Sequence, residues 1–168
     1  MRISGGCLAL LLLLAGCGDT MSHDEKALHD ERMVAMVQRA NDTAPPLQEV
    51  TPDPILYPDI EAADLYGAGC SYAPGTSLGM RVFARGVDAF MKIDGELVRF
   101  AADPGSRELP GGTRSLYNGR THSLRLQLNG EGEETPSGKR NYEGTVTLRD
   151  PHGRIVYEGT GTAQCGAG

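Results

Sequence analysis

The stretch VDAFMKIDGELVRF, residues 87–100, alternates apolar and polar side chains on both sides of an Asp-Gly pair. Asp-Gly is among the strongest sequence signals for a two-residue β-hairpin turn. A turn at Asp94 and Gly95 pairs Ile93 with Glu96, Met91 with Val98 and Ala89 with Phe100. This register places one set of apolar side chains on a single face: Val87, Ala89, Met91, Ile93, Val98 and Phe100. Turn and hydrophobic pattern agree, so we predict an antiparallel hairpin.

Further strands are predicted by the same alternation. The sequence SLRLQL points Leu124, Leu126 and Leu128 inward, and SLGMRVFA, residues 77–84, supplies another strand. In GTVTLRDPHGRIVYEG, a four-residue turn would pair Leu148 with Ile155 and Val146 with Tyr157. Short strands separated by turns predict a mainly β domain over residues 69–168, a small antiparallel β-sandwich or barrel.

Residues 17–68 have a different character. They carry 11 acidic and 3 basic residues, a net charge of −8, whereas residues 69–168 carry 11 acidic and 12 basic, a net charge of +1. Ser22 and Glu25 form a capping-box pattern that predicts a helix over 22–40, and a short helix is expected over 58–66. Ile60 and Leu65 would pack it on the domain. We therefore predict that a helical, acidic, Pro-rich tether precedes the β-domain.

The first 16 residues have the features of a signal peptide: Arg2, a short apolar run and small residues before Cys17. Their end, LAGC, resembles the lipobox of bacterial lipoproteins, which implies cleavage before Cys17 and a lipid such as palmitate on that cysteine. The alternative is an ordinary secretory signal that leaves Cys17 as a thiol. Gly18 rather than aspartate follows Cys17, which by the lipoprotein sorting rule favours the outer membrane over the inner membrane.

This interpretation assigns a role to each of the four cysteines. Cys7 is removed with the signal and Cys17 is acylated, so Cys70 and Cys165 remain as each other's only partners. Thiols in an oxidising compartment pair, and a disulfide between these two is predicted. The alternative is two buried, unpaired cysteines.

A search for catalytic and metal motifs favours a non-enzymatic protein without a cofactor. The β-domain has two histidines, His122 and His152, and the sequence lacks a nucleophile elbow, a zinc-protease motif and a phosphate-binding loop. The repeated HDE at 23–25 and 29–31 turns its histidines to different helix faces, which favours a charged surface over a metal site. Residues 129–141 are glutamate-rich but lack calcium-loop spacing, and are expected to form a long solvated loop.

Arginine supplies ten of the twelve basic residues of the β-domain. We predict a possible ligand-binding surface on the outer face of the strands, formed by Arg99, Arg114, Tyr117, Arg120 and Arg125. Planar guanidinium groups and an aromatic ring suit an anionic partner or a glycan. The alternative is that these arginines simply face solvent. A net charge of +1 argues against nucleic acid.

Two family resemblances bear on function. The segments PDIEAADLYGAGC, KIDGELVRFAAD and GTAQCG are similar to small lipoproteins of Gram-negative bacteria to which no activity is assigned. The lipobox, the KIDGE turn and Tyr117–Gly119 also resemble the membrane-bound inhibitors of C-type lysozyme, which implies a disulfide-held antiparallel barrel. We expect a lipid-anchored, periplasm-facing binding or structural module whose partner is an envelope protein or glycan. Lysozyme inhibition is the alternative and an envelope hydrolase the third possibility.

Overall fold

The computed structural model describes residues 22–166, and the chain divides into two compact units between Ala44 and Pro45. Cys7, Cys17 and the predicted signal peptide lie outside the described residues. The described part of the first unit is one helix, α1, His23–Asp42. At its start Ser22 Oγ accepts a hydrogen bond from Glu25 N at 3.2 Å, and the Glu25 carboxylate accepts one from Ser22 N at 3.0 Å. The predicted capping box is therefore formed.

The second unit contains a short helix, α2, Tyr57–Ala62, followed by strands. The strands within the described residues are β1 Gly69–Pro74, β2 Val82–Ala84, β3 Asp88–Ile93, β4 Glu96–Ala102, β5 Glu108–Leu109, β6 Thr113–Arg114, β7 Leu116–Asn118, β8 Ser123–Glu134, β9 Arg140–Arg149 and β10 Ile155–Gly166. Eight of them close into an antiparallel barrel in the order β1-β10-β9-β8-β7-β4-β3-β2. The mainly β prediction is confirmed, and of its two forms the structure has the barrel.

The β3–β4 hairpin has the register that the Asp-Gly turn predicts. Ala89, Met91 and Ile93 lie opposite Phe100, Val98 and Glu96. Both turn residues have a positive φ, 51° at Asp94 and 79° at Gly95, as a type I′ turn requires. Val87 is the exception to the predicted face, because it precedes the strand and is exposed.

The C-terminal hairpin differs from its prediction. Leu148 pairs with Tyr157 instead of Ile155, and the partner of Val146 is displaced by the same two residues. The turn accounts for one of these two residues, since Ile155 already pairs with Arg149, and a β-bulge between Ile155 and Tyr157 adds the other to β10. The added residue, Val156, is buried and Ile155 is exposed. The turn lies at the expected place, where Gly153 N donates to Asp150 O at 3.0 Å, but five residues instead of four separate the paired Arg149 and Ile155.

The predicted long loop at 129–141 is wrong. Strands β8 and β9 continue through most of it, with Glu133 opposite Asn141 and Glu134 opposite Arg140. A bulge after Asn129 contains two glycines with positive φ, and a Cβ at Gly132 would lie 2.5 Å from the Tyr142 ring. Only residues 135–139 remain as a turn, because the glycines let the strand bend without leaving the ladder.

The predicted disulfide between Cys70 and Cys165 is confirmed. The two cysteines are buried and lie directly opposite each other on β1 and β10, with their Cα atoms 4.1 Å apart. The bond therefore joins the first and last barrel strands across 95 residues of sequence.

Two apolar layers stabilise the unit. The barrel interior is filled by buried side chains; the largest of them are Tyr72, Met91, Phe100, Tyr117, Leu124 and Leu126. A second cluster lies outside the sheet, where Ile55 and Leu65 cover Phe83 and Phe90, and Ile60 packs against them. The predicted packing of Ile60 and Leu65 on the domain is thus observed. Lys92 Nζ anchors α2 with 2.9 Å contacts to both carboxylate oxygens of Asp59.

The segment before α2 also belongs to the barrel unit, although the sequence analysis assigned residues 17–68 to a tether. Residues 45–55, here called the strap, run along the barrel with Pro52 buried. Three backbone hydrogen bonds of 2.8 Å attach the strap: Val50 N to Val156 O, Asp53 N to Lys92 O, and Ile55 N to Met80 O. The compact unit begins near Pro45, about 24 residues before the predicted boundary at Gly69.

Candidate functional site

The five residues of the predicted arginine surface do not form one site. Arg99 Nε lies 2.9 Å from Asp88 Oδ2, and Arg114 Nη2 lies 3.7 Å from Glu108 Oε2. Both guanidinium groups therefore already have a carboxylate partner within the barrel unit.

Asp88 is the buried centre of an ion cluster. Its side chain is 3% exposed and accepts hydrogen bonds from Arg85 Nε at 2.7 Å, Arg85 Nη2 at 3.1 Å and Arg99 Nε at 2.9 Å. Burial alone would raise the pKa of this carboxyl group, but the hydrogen bonds and charges of Arg85 and Arg99 outweigh burial, and the pKa is lowered. The cluster thus holds the start of β3 to β4.

The prediction that Tyr117 lies on the outer surface is wrong. Its ring is fully buried in the barrel core, where its hydroxyl accepts from Arg114 N at 2.6 Å and donates to Arg85 O at 2.9 Å. Burial raises the pKa of this hydroxyl, which keeps it protonated as a donor. The short strand β7 places residue 117 opposite Leu124, which also points into the barrel. Tyr117 therefore stabilises the fold and is inaccessible to a partner.

Arg120 and Arg125 are the two predicted residues that remain accessible. Arg120 lies in the turn between β7 and β8, and Arg125 points outward from β8. Within the described part of the chain, neither guanidinium group has a carboxylate partner within 4.0 Å. These two side chains are available to an anionic partner.

A groove of about 450 Å³ brings together the two histidines of the β-domain, His122 and His152, with Asp150. His122 Nδ1 lies 3.0 Å from Thr121 Oγ1. The Asp150 carboxylate accepts from Arg154 Nε at 2.7 Å and from the His152 backbone N–H at 2.9 Å. In a hydrolytic triad a carboxylate orients the imidazole of a histidine. Here the Asp150 carboxylate is instead hydrogen-bonded to Arg154.

A second groove, of about 460 Å³, lies on the outside of β1, β10 and β9 beneath residues 75–80. We call it the amide groove, after the amides of Asn141 and Gln164. Its polar lining consists of uncharged side chains: Ser71, Thr76, Ser77, Asn141, Thr162 and Gln164. Gln164 Nε2 donates to Asn141 Oδ1 at 3.1 Å, which fixes the relative orientation of the two amides.

An adjoining groove of about 590 Å³ shares Asn141 and Thr162 with the amide groove. Its lining is acidic, with Glu131, Glu133 and Glu143. The outer face of β8, β9 and β10 therefore changes from neutral to negatively charged within a few residues.

The amide groove was not predicted from the sequence. A signal for it was present, because outward positions of β9 and β10 carry Asn141, Thr145, Thr160, Thr162 and Gln164. Alternation alone marks these side chains as solvent-facing. Of these, Asn141, Thr162 and Gln164 line the groove and meet through the pairing of β9 with β10. Ser71 joins them through the pairing of β1 with β10, which the cysteines predict but the strand patterns do not.

The comparisons with known proteins and the described part of the structure add three negative findings. No family model, curated protein or solved structure matches this chain, so both family resemblances stay predictions. Among residues 22–166, three or more side chains of histidine, cysteine, aspartate or glutamate do not converge as metal ligands would. The helices in that range are also too short or too polar to cross a membrane.

Proposed function

We propose that this chain is a lipid-anchored protein of the cell envelope, and that its barrel acts by binding a partner on its outer surface. The disulfide between Cys70 and Cys165 is the observation that carries the proposal. Such bonds form and persist in oxidising compartments and are rare in the cytosol. The filled barrel interior supports binding on the outer surface, because side chains occupy the interior and the grooves that could hold a ligand lie outside.

The anchor and the membrane are proposed from the sequence. LAGC ends a short apolar run, and a diacylated or triacylated Cys17 would hold residues 18–44 and the barrel at the membrane surface. The residue after Cys17 is glycine, which favours the outer membrane, with the barrel facing the periplasm. An acidic leader is repelled by anionic lipid headgroups, so it would extend the barrel away from the surface.

The anchor predicts a clear outcome for Cys17→Ser. The native protein should partition into the detergent phase and fractionate with the outer membrane, whereas the variant should be soluble or remain unprocessed. Mass spectrometry of the N-terminal peptide should show the acyl mass on Cys17. Cys7→Ser is the matched control and should change neither result. An unmodified N-terminus on the mature native protein would refute the lipid anchor.

Lysozyme inhibition is the second candidate. The closed antiparallel barrel with one disulfide favours it, because the inhibitor family has that architecture. Two features of the region that carries the resemblance argue against inhibition. Tyr117 is buried. The residues before it are Gly111, Gly112 and Thr113, whereas the inhibitor family has Ser-Gly there. A Cβ at Gly111 would lie 2.8 Å from Gly69 O, so this loop is packed against the start of β1.

A lysis assay separates the two candidates. We expect that a tenfold molar excess of the full chain leaves the rate of cell-wall lysis by a C-type lysozyme unchanged. Heat-denatured chain at the same concentration is the control for non-specific effects. Loss of lysis near a one-to-one ratio would favour the inhibitor function over the proposal above.

A further inference from the structure

We propose that the amide groove binds a neutral saccharide. This inference rests on the proposed function, since it names the site and the ligand class of the proposed binding surface. It is independent of whether Cys17 carries a lipid.

The strand register explains why the groove presents a row of polar groups. Ser71 lies opposite Gln164 on β10, and Gln164 lies opposite Asn141 on β9. Side chains directly opposite on neighbouring strands project from the same face, and the strands are about 4.8 Å apart. A hydroxyl and two amides therefore stand in a line about 10 Å long on rigid strands. A site on strands holds its groups more firmly than a site on loops.

The hydrogen bond between the two amides determines what they offer to a ligand. Because Gln164 Nε2 donates to Asn141 Oδ1, Gln164 Oε1 and Asn141 Nδ2 remain as an acceptor and a donor. Sugar hydroxyls both donate and accept, so two adjacent hydroxyls can satisfy such a pair. Thr76 and Thr162 add hydroxyls that can take either role, whereas Ser71 Oγ donates to Gln164 O at 3.5 Å and remains an acceptor.

Charge selects a neutral ligand over an anionic one. The side chains that line the amide groove are uncharged, so a carboxylate or phosphate would gain no ion pair there. The adjoining groove brings Glu133 and Glu143 close to the shared residue Asn141, and these carboxylates repel an anion. Arg120 and Arg125 do not line either groove.

The edge of the groove suits the apolar face of a sugar ring. Leu78 and Met80 line it from the loop between β1 and β2, and Leu78 is fully exposed. Pyranose rings have a C–H face that packs on apolar side chains, while their hydroxyls hydrogen-bond around the rim. The volume of about 460 Å³ is within the range of small-ligand sites and accommodates one to two sugar units.

Saturation-transfer NMR on the purified full chain in detergent micelles tests the inference. The probes are two neutral tetrasaccharides, chitotetraose and maltotetraose, and the anionic tetragalacturonate. We expect saturation transfer to at least one neutral probe and none to the anionic one. Asn141→Ala and Gln164→Ala should each weaken the apparent affinity about 5- to 10-fold, because each removes one or two hydrogen bonds.

Gln127→Ala is the matched control. Gln127 is an exposed glutamine on the outside of β8 that does not line the amide groove, so its loss should change the affinity less than twofold. If an alanine variant fails to fold, Asn141→Asp keeps the side-chain volume, removes the Nδ2 donor and adds a charge, and should abolish binding of the neutral probe.

Three results would overturn the inference: no transfer to either neutral probe, equal affinity for the anionic probe, or an equal loss in Gln127→Ala. These results are distinct from a failure of the proposed envelope function. An unacylated Cys17 would refute the anchor and leave the saccharide result intact, whereas an absent saccharide signal would leave the anchor standing.

Discussion

Cys165→Ser should lower the melting temperature of the barrel by about 10 °C or more. Loss of a native disulfide in a small secreted domain typically costs about 2–5 kcal/mol. At this domain size each kcal/mol corresponds to roughly 3–6 °C. The bond closes 95 residues of sequence, a long loop whose closure restricts the unfolded chain strongly. Differential scanning calorimetry at neutral pH measures the effect.

The double variant Cys70→Ser/Cys165→Ser separates loss of the bond from effects of a free thiol. It should melt within a few degrees of Cys165→Ser, and a reductant should lower the melting temperature of the native protein but not that of the double variant. An unchanged melting temperature in all three proteins would mean that the barrel does not depend on this crosslink.

Asp88→Asn should destabilise the fold by about 2–3 kcal/mol at neutral pH. The substitution leaves Arg85, whose side chain is 24% exposed, without its carboxylate partner, and removing one member of a buried pair costs about 3–5 kcal/mol. We expect the lower part of that range or slightly less, because Arg99 is 65% exposed and water replaces much of its interaction. Chemical denaturation of the native and variant proteins measures the difference.

The effect of Asp88→Asn should depend on pH. The pKa of Asp88 is lower in the folded state, so its stabilisation is present above the unfolded pKa of about 3.9 and is lost as the pH falls through the folded value. The difference between native protein and variant should therefore shrink below about pH 4. Asp59 and Asp150 also have lowered pKa values, so only the difference between the two proteins reports on Asp88.

Glu108→Gln is the control for the Asp88 experiment. It removes the carboxylate from a 3.7 Å ion pair with Arg114, but Glu108 is 66% exposed, and such pairs contribute about 0–1 kcal/mol. A larger loss in Glu108→Gln than in Asp88→Asn would show that burial does not determine the strength of these pairs.

Local sequence patterns predicted the fold best where turn chemistry and hydrophobic alternation act together. At Asp94 and Gly95 both fix the same register, and the register is observed. Near the C-terminus the position of the turn was predicted but the pairing was not. The turn is one residue longer than expected and a bulge adds Val156, and hydrophobic alternation shows neither change. The glycines at 130 and 132 hid the continuation of β8 for a related reason.

The candidate site was harder to predict because it depends on long-range geometry. Tyr117 has the polarity of a surface residue, but two backbone partners satisfy its hydroxyl inside the core. Arg99 and Arg114 were correctly seen as polar positions, whereas their carboxylate partners could be found only from the folded chain. The strap was not predicted because it is attached largely through backbone hydrogen bonds, and backbone groups leave no pattern in the sequence.

The pairing of β1 with β10 has a consequence for how the chain folds. Because β1 pairs with β10, the barrel cannot close until the last strand of the sequence has formed. Proteins dominated by such distant pairings fold slowly, on the order of milliseconds to seconds. During that interval the edge of β1 is exposed and able to pair with other chains. A chain of this topology therefore depends on β10 pairing with β1 before the open edge meets another chain.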